Sequence, residues 1–154
     1  MLGALKKINR YLVALETALA GGLLFVVFLV VLTQVLMRYL FGWPNPWSEE
    51  LSRFCFIWLS MLGAALAVER KSHFGFDQAV RKLPPEQHRW ARRFATAAVA
   101  AVSALLIVSG LALVHLAAAQ HSPALDVPMS WVYASVPVSG FLMLIHLSSG
   151  EDSA

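Results

Sequence analysis

The chain has 154 residues, of which 58% are hydrophobic and 14% charged. Soluble domains carry about 25% charged residues, so this composition points to lipid, and the length suits one membrane domain over residues 1–154 without a second soluble unit. A dispersed net charge of +3 excludes nucleic acid as a partner, and a single cysteine, Cys55, excludes an internal disulfide or a cysteine-based metal site.

A hydrocarbon core of about 30 Å needs roughly 20 apolar residues as helix. Four stretches meet this requirement, at about Leu15–Met37, Leu51–Val68, Phe94–Ala119 and Val127–Leu147. Backbone groups in lipid must be bonded internally, so each is predicted to be a helix and the fold an all-α integral membrane protein. The first stretch has a basic lead (Lys6, Lys7, Arg10), but it exceeds a signal peptide's apolar core. Arg38-Tyr39-Leu40-Phe41 also lacks the small residues of a cleavage site, so it reads as a retained span.

In the gap that follows, Asn45-Pro46 is placed to cap the second helix, with proline near its first position. Glu49 and Glu50 then fall near the first turn, where carboxylates complement the helix dipole. After the second span, Phe76, Val80 and Leu83 recur at helical spacing beside Arg81 and Lys82. That pattern predicts a short amphipathic helix lying on the membrane surface. Pro84-Pro85 can open a long third helix, Glu86 to Ala119, about 50 Å at 1.5 Å per residue. Asp126 is placed to cap the fourth.

Lysine and arginine sort by side. The N-terminal tail holds three, and the 69–93 loop holds Arg70, Lys71, Arg81, Lys82, Arg89, Arg92 and Arg93. The gap between the first two spans has only Arg38 and Arg53, and the gap between the last two has none. The positive-inside rule therefore puts both termini and the middle loop in the cytoplasm. Arg70, Lys71, Arg81, Lys82, Arg92 and Arg93 become candidates for holding anionic phospholipid headgroups.

The densest polar feature is the outer gap, where Arg38, Glu49, Glu50 and Arg53 stand with Trp43 and Trp47. One reading is that these charges snorkel to water and cap a helix. The other is an ordered ion-pair cluster that fixes the first two spans or docks another subunit, with Glu49 and Arg53 spaced to pair. Gln34, near the outer end of the first span, is an amide that wants a partner across an interface. Trp43, Trp47, Trp90 and Trp131 fit aromatic belts. Ala14/Ala18/Gly22, Gly63/Ala67 and Ala97/Ala101 offer small-residue stripes for helix contact.

His115 reads as packed in preference to a proton relay or haem ligand, since His121 and His146 lie at opposite edges and form no pair with it. Glu16 reads as an interfacial charge at the inner end of the first span. Pro137, with Ser135, Ser139 and Gly140, predicts a kink in the fourth. No catalytic set, phosphate loop or metal spacing is present, so no enzyme activity, cofactor or metal is expected. With so few polar groups at the midplane, the chain resembles a subunit more than a complete transporter.

Arg38-Tyr39-Leu40-Phe41-Gly42, Trp47-Ser48-Glu49-Glu50-Leu51 and Gly63-Ala64-Ala65-Leu66-Ala67-Val68 occur in order. His73 and Asp77 follow, then Val127-Pro128-Met129-Ser130-Trp131-Val132-Tyr133 with Pro137. From about Lys7 to Leu147 this pattern resembles the small membrane subunit (DctQ type) of tripartite ATP-independent periplasmic (TRAP) transporters. The resemblance implies a bacterial inner-membrane scaffold for a large multi-span elevator subunit, with a periplasmic substrate-binding protein and sodium-driven uptake of an organic acid. It implies structural or subunit-contact roles for Arg38, Trp47, Glu49, Glu50, His73 and Asp77; Gln34 and Arg53, from the reading of the polar residues, and Tyr133 and Pro137, in the last motif, join them as candidates. Two alternatives remain: an autonomous four-helix multidrug exporter, whose membrane glutamate would be Glu16, and the anchor of a respiratory enzyme.

Overall fold

The computed structural model describes residues 2–43, 45–71 and 85–150. These residues form α1 (Leu2–Phe41), α2 (Pro46–Lys71), α3 (Pro85–Leu116), a short α4 (Met129–Tyr133) and α5 (Ser135–Gly150). Four helical segments are long and apolar enough to cross a membrane, the last being α4 and α5 together. No strand is present among the described residues. The expected interfacial helix, with His73, Asp77, Arg81 and Lys82, lies outside them.

At about 1.5 Å per residue, α1 is about 60 Å long, twice the hydrocarbon thickness. It ends where Gly42 takes a φ of +65° and Trp43 N–H reaches back to Met37 C=O at 3.3 Å. Glycine adopts that left-handed turn without the steric penalty of a side chain. Proline opens α2 at Pro46, and Asn45 C=O accepts both the backbone N–H and the hydroxyl of Ser48.

The helices pack mainly in the order α1, α2, α5, α3, with α4 set against α3, α5 and α2. The burial pattern inverts that of a soluble protein. The most apolar stretch of α1 has nothing buried, while the less apolar α4–α5 span is the most enclosed. Lipid solvates leucine as well as protein does, so polarity and small size decide which helix sits inside.

Pro137 is buried in α5. It has no N–H for the carbonyl of Tyr133, which explains the break between α4 and α5. Ala134 keeps near-helical angles there (φ −59°, ψ −22°), and Ser135 and Ser139 hydroxyls bond the carbonyls of Val132 and Val136 at 2.8 and 3.0 Å. The predicted kink site is thus an interruption of backbone hydrogen bonding that leaves one continuous span.

The small-residue stripes expected from the sequence do not make contacts within the chain. Ala14, Ala18, Gly22, Gly63, Ala97 and Ala101 are exposed, and a Cβ on Gly22 or Gly63 would meet nothing within 4 Å. Close approach occurs instead between Gly110 and Pro137, and between Gly140 and the Ser103–Ile107 turn. On α3 and the turn that directly follows it, the buried small residues are Ser103, Gly110 and Ala117. Their spacing is seven, the repeat that keeps one seam of a helix facing its neighbour. A search at spacing four misses it.

Candidate functional site

Two buried carboxylates, Glu50 and Glu16, mark opposite ends of the bundle. Each is held by a different part of the chain.

At the end that the charge asymmetry predicts to face outward, α3 gives way to a closed loop, here termed the outer loop. Ser122 N–H bonds Val127 C=O at 3.0 Å, Met129 N–H bonds Gln120 C=O at 2.9 Å, and Asp126 N–H bonds Ser122 C=O at 3.1 Å. Ser122 is buried, and its hydroxyl accepts Val127 N–H. At the loop tip, two backbone N–H groups turn away from this network toward α2. The Glu50 carboxylate accepts them, from Ala124 at 3.2 and 3.3 Å and from Leu125 at 2.9 Å. Charged acceptors on backbone N–H groups make strong hydrogen bonds, so Glu50 ties the start of α2 to the outer loop.

Asp126 does not cap the fourth span. It takes a φ of +53°, and Pro128 occupies the cap position without any side-chain hydrogen bond. The turn needs one left-handed residue to bring Val127 back to Ser122, and aspartate tolerates that conformation better than most side chains.

The other outer charges are arranged less tightly. Arg53 donates to Glu49 at 3.1 Å along one face of α2, but both side chains are 62% exposed. Arg38 is exposed and stands in no ion pair among the described residues. The ordered element of this cluster is therefore Glu50, bound by backbone N–H groups and not by a cation. Glu49→Ala or Arg53→Ala should each change stability by only ~0–1 kcal/mol, readable as a near-zero shift in thermal midpoint in mild detergent. Trp43, Trp47, Trp90 and Trp131 are exposed. Gln34, Tyr133 and Trp58 are half-buried, Arg70 and Arg93 are exposed, and the side chains of Lys71 and Arg92 lie outside the described set.

At the opposite end of the bundle, sequence reasoning missed a cluster. His146 of α5 is 1% exposed and Glu16 of α1 is 3% exposed. His146 Nε2 lies 3.1 Å from both Glu16 carboxylate oxygens, and Nδ1 lies 2.6 Å from Asn9 Oδ1. The signal that could have found it is a heptad. The half-buried residues Asn9, Val13, Ala20, Leu23, Val27, Val30, Gln34 and Met37, with buried Glu16, recur at alternating steps of four and three along α1. Glu16 and Asn9 sit one heptad apart on that seam, so Glu16 is not the simple interfacial charge expected from the sequence.

Most hydroxyls in the spans are committed locally. Hydroxyls of Thr17, Thr33, Ser60, Ser103 and Ser109 all bond carbonyls one turn back. Among the described residues, no buried side-chain nitrogen or oxygen lacks a partner, and no cluster of metal-ligand residues forms. The Glu50 and Glu16 clusters, by contrast, join separate elements of the bundle.

Comparison with known proteins agrees. The family model "Tripartite ATP-independent periplasmic transporters, DctQ component" matches residues 27–149. The chain is 28% identical over 147 residues to the sialic acid TRAP transporter small permease protein SiaQ of Vibrio cholerae, covering 92% of this chain and 82% of that one. It is 30% identical over 149 residues to a putative TRAP transporter small permease protein of Haemophilus influenzae, covering 95% and 90%. It also matches the sialic acid TRAP transporter permease protein SiaT of Haemophilus influenzae, at 28% over 142 residues, where it spans only 23% of the longer protein. Four membrane-length helices and a match over most of its length make this a multi-pass membrane protein and a transporter component, not an enzyme. The chain belongs to the DctQ family of TRAP transporter small permease subunits.

Proposed function

We propose that this chain is the fixed scaffold subunit of a TRAP-type secondary transporter in a bacterial inner membrane. It works with a large elevator-type membrane subunit and a periplasmic substrate-binding protein. Together they take up an organic acid driven by a sodium gradient. The observation that carries this reading is the commitment of every buried polar side chain among the described residues to another group of the chain. A solute path through lipid needs free polar groups or broken helices lining a cavity; among the described residues the buried polar atoms are paired, and at the one interruption, between α4 and α5, the Ser135 and Ser139 hydroxyls bond nearby carbonyls.

The relatives support the substrate class and the partner. Their names include sialic acid and C4-dicarboxylate, both acids, and the match to SiaT places a segment like this chain inside a far longer permease protein. Lysine and arginine asymmetry supports cytoplasmic termini, with exposed Arg70 and Arg93 at the headgroup level. Glu16 gives the exporter alternative no support, since both of its oxygens face His146.

Affinity purification from native membrane in mild detergent, followed by mass spectrometry, tests the proposal. A larger multi-span protein at one-to-one stoichiometry is the expected companion. A stable homo-oligomer with no such companion would overturn the scaffold role.

A further inference from the structure

The apolar seam of α1 does not by itself define how α1 sits on the bundle. Ala20, Leu23, Val27, Val30 and Met37 are half-buried at regular heptad steps, so a slide of one turn presents an equivalent set of apolar side chains. In water such a slide would expose apolar surface. In lipid that penalty is absent, and an apolar seam carries little information about register. The linker from Gly42 to Asn45 bounds the slide but does not forbid one turn, because the end of α1 can unwind. Something polar has to choose.

We propose that His146 is the register key of the bundle, one imidazole reading two positions a heptad apart on α1, Asn9 and Glu16. Its two ring nitrogens face different partners, at 2.6 Å from Asn9 Oδ1 and 3.1 Å from each Glu16 oxygen. A slide of one turn, about 5 Å, would carry one of the two groups beyond the ring's reach and leave that group and one ring nitrogen without partners beside lipid. Rotation of α1 about its axis fails in the same way. Glu16 is the only buried residue among α1's described side chains, which places the selection at this point and not along the seam. Polar residues at seam positions of coiled coils fix register in the same manner, at some loss of stability relative to apolar packing. The lock concerns the chain's own packing and stands independently of which solute is carried.

The test separates register from stability. Nitroxides at Tyr39, near the outer end of α1, and Phe94, near the inner end of α3, are both exposed and lie at opposite ends of the bundle. Their separation therefore tracks sliding along the axis. The full chain carries them in a Cys55→Ala background in lipid nanodiscs, with distances read by double electron–electron resonance. The reference protein should give one narrow distribution. The variant Asn9→Leu/Glu16→Leu/His146→Leu replaces the cluster by apolar side chains, a change that often leaves a bundle folded. Its distribution should broaden or gain a second population displaced by about 5 Å, one helical turn. A single narrow peak at the reference distance in that variant would overturn the proposal. Glu16→Gln keeps an oxygen acceptor for His146 and should retain the narrow peak. Broadening there equal to that of the apolar variant would also overturn it, since hydrogen-bonded reading would not be the cause.

Discussion

Glu50→Ala should free the outer loop from α2. Two backbone N–H groups, on exposed Ala124 and half-buried Leu125, would lose their acceptor while the loop's internal hydrogen bonds persist. An unsatisfied buried donor costs about 1–3 kcal/mol, and water can reach the exposed Ala124 N–H, so the loss is about 1–3 kcal/mol. Hydrogen exchange over 121–128 should speed up by about one to two orders of magnitude, because about 1.4 kcal/mol corresponds to tenfold. Glu50→Gln should fall between, since an amide keeps one oxygen but not the charge. Unchanged exchange in the alanine variant would mean that the loop holds itself, with the carboxylate a bystander.

Gly110→Ala should push α3 and α5 apart. A Cβ there would lie 2.5 Å from Pro137 Cδ and 2.7 Å from its backbone nitrogen, and neither can swing aside as a flexible chain end could. Overpacking of this kind costs about 1–3 kcal/mol, and valine or leucine would exceed that. The thermal midpoint in mild detergent should drop clearly for Gly110→Ala. Gly22→Ala and Gly63→Ala are the matched controls, since their Cβ positions are open and alanine favours helix. Equal midpoints across the three variants would show that the α3–α5 contact is looser than the Gly110–Pro137 distances imply.

These residues show what a linear reading can reach. Four spans were legible because lipid demands apolar length and internal backbone bonding, and both are properties of contiguous sequence. Pro46 at the start of α2 and the interruption before Pro137 were legible for the same reason, since proline acts on its own turn. Family membership was legible from the order of short motifs. Asp126 was misplaced because a polar residue before a helix reads as a cap, whereas the loop required a left-handed residue there.

Long-range polar contacts were not legible. Glu50 meets Ala124 across 74 positions, and His146 meets Glu16 across 130. In a soluble protein the apolar stripe of each helix would have shown which face turns inward. Here apolar side chains cover both the lipid face and the helix seams, so the pattern is nearly silent about orientation.

Composition and periodicity by themselves determined that this is a four-span membrane protein without catalytic groups, because solvation by lipid is felt residue by residue along each helix. Only the tertiary structure decided that α5 is the enclosed helix and that Gly110 and Gly140 are the close contacts. It also decided that the two buried carboxylates, Glu50 and Glu16, serve backbone N–H groups and a histidine. Those outcomes depend on which polar group finds which, and a bilayer that dissolves every apolar face equally leaves that choice to the three-dimensional arrangement.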